Sequence, residues 1–82
     1  MDRNEIIDKL DAFIRQEFEI GDDPDYGTDV NLFDLGFVDS KGAMSILAYA
    51  EETFGIKITQ SDLMLYPTNS VEEIADIVAA KF

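Results

Sequence analysis

Apolar residues recur every three or four positions at the start of the chain, the spacing that forms one stripe on an α-helix. The stripe predicts a first helix from about Asp2 to Glu19, and its members are Ile6, Ile7, Leu10, Phe13, Ile14 and Phe18. Gly21 follows the last apolar residue of this segment, Ile20, and predicts a left-handed turn that closes the helix. The next four residues, Asp22-Asp23-Pro24-Asp25, cannot continue it.

A long connection follows and runs to about Ser40. It is longer than most loops in small domains, yet it contains the apolar residues Val30, Leu32, Phe33, Leu35, Phe37 and Val38. These side chains favour an ordered crossover that packs onto the rest of the chain, with one short turn near Asn31 to Leu35. Connections of this length and order are commonly functional.

A second helix is predicted from about Lys41 to Phe54. One face carries Ala43, Ile46, Leu47, Ala50 and Phe54, with Met44 and Ala48 at its margins. Gly55 suits a left-handed cap, after which Ile56 folds back onto the last turn.

Two further helices are predicted in the remainder. Thr59-Gln60-Ser61-Asp62 supplies N-cap candidates for a short third helix that contains Leu63, Met64 and Leu65 and ends before Pro67. Ser70 and Glu73 match a capping box, which opens a last helix. The apolar stripe of that helix is Val71, Ile74, Ala75, Val78 and Phe82.

No alternating apolar and polar run is long enough to indicate a strand. We therefore predict an all-α fold, a small four-helix bundle with three longer helices, a short third helix and a long loop between the first two helices. At 82 residues the chain accommodates one modest core, so we expect a single domain over residues 1–82.

Composition narrows the possible chemistry. The chain has no Cys and no His, which excludes disulfides, a thiolate nucleophile, an imidazole base and the usual zinc ligand sets. It contains neither a stretch apolar enough to span a bilayer nor a signal segment, and we expect a cytoplasmic protein.

The formal charge of −12 disfavours nucleic acids and anionic membranes as partners and favours proteins with basic patches. Acidic residues are concentrated before the second helix. Between Gln16 and Ser40 there are eight acidic residues and no basic one: Glu17, Glu19, Asp22, Asp23, Asp25, Asp29, Asp34 and Asp39.

Asp39 and Ser40 fall where the N-cap of the second helix belongs. Unpaired backbone N–H groups and the positive end of the helix dipole favour a phosphate at such a position. Ser40 is not a predicted nucleophile, because the chain has no imidazole and lacks the Gly-x-Ser-x-Gly pattern. Taken alone, the Asp-Ser pair is better explained as an ordinary helix cap.

The other acidic groups predict no catalytic site, and calcium binding stays open only as a third, weak and nonspecific alternative. An EF-hand loop that starts at Asp23 has Gly27 at its fifth position and Asp34 at its twelfth, so the calcium register fails. The adjacent pairs Glu51/Glu52 and Glu72/Glu73 point in different directions on a helix and are interpreted as surface charge.

Leu35-Gly36-Phe37-Val38-Asp39-Ser40, followed by an amphipathic helix, resembles the attachment motif of the acyl carrier and peptidyl (aminoacyl) carrier protein family. The resemblance covers nearly the whole chain and includes Glu51-Glu52-Thr53-Phe54-Gly55 and Ser70-Val71-Glu72-Glu73-Ile74-Ala75. It implies that Ser40 receives 4′-phosphopantetheine from coenzyme A, with Asp39 as the motif residue and N-cap. The thiol of this arm would carry acyl or aminoacyl groups as thioesters.

The resemblance further implies a free-standing, non-catalytic, monomeric carrier with several enzyme partners. These are a phosphopantetheinyl transferase, an adenylating ligase or acyltransferase, and a ketosynthase, condensation enzyme or other cargo-processing enzyme. The partner contacts that it implies are Asp39, Lys41, Met44, Glu51 and Glu52.

Three positions depart from the family pattern. Lys41 stands where many members have Leu, and Gly42 and Ser45 stand where fatty-acid carriers often have acidic residues. Fatty-acid, polyketide, nonribosomal-peptide and D-alanyl or other aminoacyl pathways all stay open, and the motif looks more like the aminoacyl carriers. The alternative hypothesis is an acidic helical adaptor or inhibitor that binds a basic protein noncovalently.

Overall fold

The structure is a computed structural model that describes residues 1–82. It contains four α-helices and no strand: α1 Arg3–Glu17, α2 Ser40–Phe54, α3 Gln60–Leu65 and α4 Val71–Ala79. The predicted all-α class is confirmed, as are the short third helix and the long connection between α1 and α2. We refer to this connection, residues 18–39, as the crossover.

The end of α1 differs from the prediction. The helix ends at Glu17, and Glu19 takes the left-handed conformation, with φ of 56°. The Ile20 N–H reaches back to the Arg15 carbonyl at 2.9 Å, which is the hydrogen bond of a Schellman cap. Gly21 is also left-handed, with φ of 59°, but the cap has already formed before it, so the assignment of Gly21 as the closing residue was wrong.

The end of α2 follows the prediction. Gly55 is left-handed, with φ of 64°, and its N–H donates to the Glu51 carbonyl. Ile56 donates to the same carbonyl at 3.2 Å and packs against the core. The Gly55–Ile56 cap is therefore confirmed.

The predicted capping box of α4 is only half formed. Ser70 Oγ accepts from the Glu73 N–H at 3.2 Å, as in a capping box. In a complete box the Glu73 carboxylate would accept from the Ser70 N–H, but here Glu73 Oε1 accepts from the Asn69 N–H at 3.0 Å. A complete capping box instead begins α3, between Thr59 and Asp62. The Asp62 carboxylate accepts hydrogen bonds from the Lys81 ammonium and the Thr59 backbone N–H, and these bonds hold the pKa of Asp62 below its usual value.

The core forms mainly between α1 and α4, with α2 and the crossover closing it. Its fully buried residues include Ile6, Leu10 and Ile14 of α1, Ile46 and Ala50 of α2, and Val71, Ala75 and Val78 of α4. Phe82 had been predicted to extend the α4 stripe. It lies beyond the helix end at Ala79 and is 61% exposed, so that prediction was wrong.

α2 packs antiparallel to α1 through two aromatic contacts. The rings of Phe13 and Tyr49 stack with centroids 4.0 Å apart. The N-terminus of α2 meets the C-terminus of α1, where the Phe18 ring lies directly over Gly42. These contacts set the position of the N-terminus of α2 relative to α1.

The crossover is ordered by hydrogen bonds to the start of α4, as its apolar content predicted. The Leu32 N–H donates to the Asn69 carbonyl at 2.8 Å, and Thr28 Oγ1 donates to Glu72 Oε2 at 2.9 Å. The predicted turn is present, since the Leu35 N–H donates to the Asn31 carbonyl at 3.3 Å. Leu35 itself is 49% exposed, contrary to the expectation that every apolar side chain of the crossover packs inward.

Candidate functional site

The N-terminus of α2 is built around Asp39 and Ser40. Asp39 is the N-cap, and its Oδ1 accepts from the Gly42 N–H at 2.7 Å. This bond leaves the carboxylate committed to the helix end. Ser40 is the first helical residue and is exposed, and its side chain makes no hydrogen bond within the chain. The Ser40 hydroxyl is therefore open to an incoming reagent.

The N-terminus of α2 offers an anion free backbone donors and one cation, beside the Asp39 carboxylate. The backbone N–H groups of Ser40 and Lys41 have no acceptor in the structure. They point out at the positive end of the helix dipole. Lys41 is exposed and takes part in none of the ion pairs, whereas Arg3, Arg15 and Lys81 are paired with carboxylates. A phosphate ester on Ser40 would meet donors and an unpaired cation.

The backbone that leads into Ser40 is held by the crossover. The Leu32 carbonyl accepts from the N–H groups of Phe37 and Val38, at 3.0 and 3.2 Å. Both Leu32 and Val38 are buried. Gly36, with φ of 77°, turns the chain just before these bonds. The position of the Asp-Ser pair is thereby fixed to the core by its immediate neighbours.

Gly42 is required by the approach of α1 to α2. A Cβ at this position would lie 2.6 Å from Cε1 of Phe18 and 3.1 Å from Cγ1 of Val38. Gly42, which stands where fatty-acid carriers often have an acidic residue, is thus buried beneath a phenyl ring and is not presented to a partner. Close packing, and not an empty core, accounts for the missing side chain.

A second set of contacts ties the crossover to α1. The Tyr26 hydroxyl donates to Asp11 Oδ1 at 2.6 Å, and Arg15 Nε donates to Asp11 Oδ2 at 3.0 Å. The Arg15 guanidinium lies 4.3 Å from the Tyr26 ring centroid and also donates to the Gly21 carbonyl. The Tyr26 ring meets Phe37 edge-on, with centroids 5.8 Å apart. We call Asp11, Arg15 and Tyr26 the crossover clamp.

Burial of the Tyr26 ring and its hydrogen bond to the Asp11 carboxylate raise the pKa of the Tyr26 hydroxyl above its ordinary value. The neutral phenol is the form that can donate to the carboxylate. The clamp is therefore intact when Tyr26 is protonated.

An open depression of about 700 Å³ adjoins Ser40. Its apolar lining consists of half-buried Phe18, Phe33 and Phe37 together with Val38, and its rim includes Asp39, Ser40, Lys41 and Ser45. We call this depression the Ser40 groove.

The surroundings of Ser40 contain no group suited to activate it. The chain has no His or Cys, and the Asp39 carboxylate serves as the helix cap. No three His, Cys, Asp or Glu side chains come together in a way that could hold a metal ion. An imidazole or thiolate base for this hydroxyl is therefore not available within the chain.

The residues predicted as partner contacts lie at the N-cap of α2 and along the helix, and all of them except Glu51 are exposed. Ser40, Met44 and Glu51 follow helical spacing and share one face, and Met44 is 68% exposed. Glu52 is exposed, but Glu51 is half-buried, and its Oε2 accepts from the Ile58 N–H at 2.8 Å. Glu51 therefore also holds the segment that enters α3.

Sequence reasoning missed an exposed apolar surface on α3. No residue of this helix is buried, and Met64 and Leu65 are 80% and 77% exposed. Leu63 and Met44 line one depression between α3 and α2. The signal was the helix length, because six residues make less than two turns and cannot bury three consecutive apolar side chains.

None of the four helices is long and apolar enough to cross a membrane.

Comparison with known proteins gives one match. A family model described as "Phosphopantetheine attachment site" matches residues 8–78, which includes most of α1, the crossover, α2, α3 and most of α4. Neither the curated proteins nor the solved structures gave a match.

Proposed function

The chain belongs to the phosphopantetheine attachment-site family of carrier proteins, and from that premise we propose that Ser40 bears the prosthetic group. Because the chain belongs to this family, its covalent cofactor is 4′-phosphopantetheine, and the role of the chain is to carry that group. When bound, this group supplies a flexible arm whose terminal thiol holds cargo as a thioester. The observation that supports Ser40 is its exposed, unbonded hydroxyl at the capped start of α2.

The residues around Ser40 fit a phosphodiester. The free N–H groups of Ser40 and Lys41 and the Lys41 ammonium supply donors and positive charge. Asp39 does not compete for the same donors, because its carboxylate binds the Gly42 N–H. The chain has three other serines: Ser45 lies inside α2, Ser61 is the second residue of α3, and Ser70 is the buried N-cap of α4, whose hydroxyl binds the Glu73 N–H.

The carrier role needs no catalytic group in this chain. A phosphopantetheinyl transferase would supply the base that activates Ser40 and the coenzyme A that donates the group. We propose a single carrier domain over residues 1–82 that delivers acyl or aminoacyl cargo to partner enzymes. Fatty-acid, polyketide, nonribosomal-peptide and D-alanyl or other aminoacyl pathways all use such chemistry.

We further propose that partners dock on the exposed side of α2, through Asp39, Lys41, Met44, Glu51 and Glu52. An apolar contact at Met44, continued by Leu63 beside it, would be framed by acidic groups. Partners with basic patches around an apolar depression fit this surface, and the net charge of −12 would steer them toward it. Adenylating ligases, acyltransferases, ketosynthases and condensation enzymes are the candidate classes.

The test is intact-protein mass after incubation with coenzyme A and a broad-specificity phosphopantetheinyl transferase. The chain should gain the mass of one arm, the Ser40→Ala variant should gain none, and the matched Ser45→Ala variant should gain it as the native chain does. An unchanged native mass with several transferases, or full modification of Ser40→Ala, would contradict the proposal. The adaptor hypothesis predicts that Ser40→Ala retains biological activity.

A further inference from the structure

The Ser40 groove is the largest concavity of the molecule, and nothing in the fold fills it. Its volume of about 700 Å³ lies within the range of small-molecule sites. Three phenyl rings, from Phe18, Phe33 and Phe37, line it; they pack against the core and are still only half-buried. Partly exposed aromatic rings around a concave surface are typical of a binding site.

We propose that the Ser40 groove receives the pantetheine arm carried by Ser40, so that the resting arm lies against Phe18, Phe33 and Phe37. This inference rests on the proposed function, because it requires the arm to be attached at Ser40. It assigns a resting place to the arm between the crossover and the start of α2.

The free donors and the cation of the groove lie where the arm would begin, on a rim that they share with the Asp39 carboxylate. The arm begins with a phosphodiester, and Lys41 and the free N–H groups lie at that edge of the groove. It continues with a carbon that bears two methyl groups and then with two amides. The methyl groups are the part that phenyl rings would remove from water.

Attachment favours this occupant over a free ligand. Ser40 itself lines the groove, so the arm begins at its edge and is present at a high effective concentration. Tyr26 of the crossover clamp, whose hydroxyl is bound by Asp11, packs edge-on against Phe37, one of the rings that line the groove.

The depression between α2 and α3 is the competing location. It is lined by Met44, Leu47, Ala48, Glu51, Ile58 and Leu63 and measures about 180 Å³. Ser40 does not line it, and it is smaller than the Ser40 groove. These two features favour the Ser40 groove.

Isotope-filtered nuclear Overhauser spectroscopy tests the proposal on the loaded chain. The protein is labelled with ¹³C and ¹⁵N, and the arm comes from unlabelled coenzyme A. We expect cross-peaks from the geminal methyl protons of the arm to the ring protons of Phe33 and Phe37. Cross-peaks to Leu47 and Leu63 instead, or no cross-peaks from the arm to the protein, would overturn the assignment.

A matched pair of variants sharpens the result. Phe33→Ser removes apolar surface from the Ser40 groove, and Leu63→Ser removes it from the depression between α2 and α3. Phe33→Ser should lose most of the cross-peak intensity between the arm and the rest of the protein, whereas Leu63→Ser should retain it. The reverse pattern would contradict the proposal. If Phe33→Ser does not fold, Phe33→Leu replaces it and should keep contacts at Phe37.

Intact mass of the same sample separates this inference from the proposed function. A sample that carries the arm on Ser40 but lacks the phenyl cross-peaks contradicts the groove assignment and leaves the attachment standing. A native chain that never gains the arm contradicts both.

Discussion

At the scale of single residues, Ser40 is distinguished by what surrounds it more than by its own chemistry. Its hydroxyl is exposed, its neighbour Asp39 caps the helix, and Lys41 beside it has no carboxylate partner. The absence of His and Cys was readable from the sequence. Which N–H groups stay free at the start of α2 depends on the observed cap and became visible only in the structure.

Gly42 shows why one departure from the family pattern is structural. Two opposing effects act there: alanine is preferred over glycine in a helix by about 1 kcal/mol, whereas a new Cβ would lie 2.6 Å from the Phe18 ring. Phe18 is half-buried, so its ring must move to admit the methyl group.

We therefore expect the effect of Gly42→Ala on stability to depend on Phe18. In the Phe18→Ala background the substitution should stabilise the fold by less than the ~1 kcal/mol that helix propensity gives, because the new Cβ still lies 3.1 Å from Cγ1 of buried Val38. In the native background that gain should be lost, giving a coupling of about 1–2 kcal/mol in a double-mutant cycle of urea unfolding. Thr53→Ala, an exposed site near the other end of α2, is the control and should show no coupling to Phe18→Ala. Additive effects of Gly42→Ala and Phe18→Ala would refute the contact.

At the scale of elements, periodicity and capping residues predicted four helices in the right order. The ends of the helices were predicted less well. α1 closes with Glu19 in the left-handed conformation, whereas glycine is the residue that usually adopts it, so the sequence pointed to Gly21. The Ser70/Glu73 motif also misled, because Glu73 reaches the N–H of Asn69. A carboxylate that can reach two neighbouring donors is placed by the surrounding backbone, and the sequence pattern does not describe that backbone.

The crossover clamp makes a prediction about pH. The raised pKa keeps Tyr26 protonated in the fold at a pH where the unfolded chain ionises its tyrosines. Its contribution to the free energy of unfolding is therefore complete below the ordinary tyrosine pKa of about 10 and is lost as the pH rises above it. Urea unfolding at a series of pH values from about 8 to 11 should show this decline.

Tyr26→Phe isolates the effect. The variant should be less stable near neutral pH by about 1 kcal/mol, the usual contribution of such a hydrogen bond, and should decline less steeply above pH ~10. Tyr66→Phe, which changes a tyrosine outside the core, is the control and should follow the native curve. If the free energy of unfolding depended on pH in the same way for the native chain and for Tyr26→Phe, the proposed contribution of the Tyr26–Asp11 hydrogen bond would be contradicted.

At the scale of the whole molecule, acidic charge is in large excess. There are 18 acidic and 6 basic residues, and three ion pairs use half of the basic ones. The total charge follows from composition, but the exposure of Met64 and Leu65 does not. It reflects how this six-residue helix is held only at its first turn, by the Thr59–Asp62 capping box and the Lys81–Asp62 ion pair, with no buried face of its own.

Self-repulsion of this charge predicts that salt stabilises the fold. Raising the ionic strength to about 0.15 M shortens the screening length to about 8 Å, and the free energy of unfolding in urea should increase. The double variant Asp22→Asn/Asp23→Asn removes two exposed or half-buried acids of the crossover and should respond less to salt. A decrease in stability with salt would mean that the few ion pairs outweigh the repulsion.

The attachment of the arm at Ser40 is tested most directly by locating the added mass within the chain. The loaded protein is fragmented in a tandem mass spectrometer, and the fragments that end between successive serines are compared. We predict that the mass of one phosphopantetheine arm lies on Ser40 and that fragments containing Ser45, Ser61 or Ser70 without Ser40 are unmodified. Added mass on any of these other serines, with Ser40 unmodified, would contradict the account.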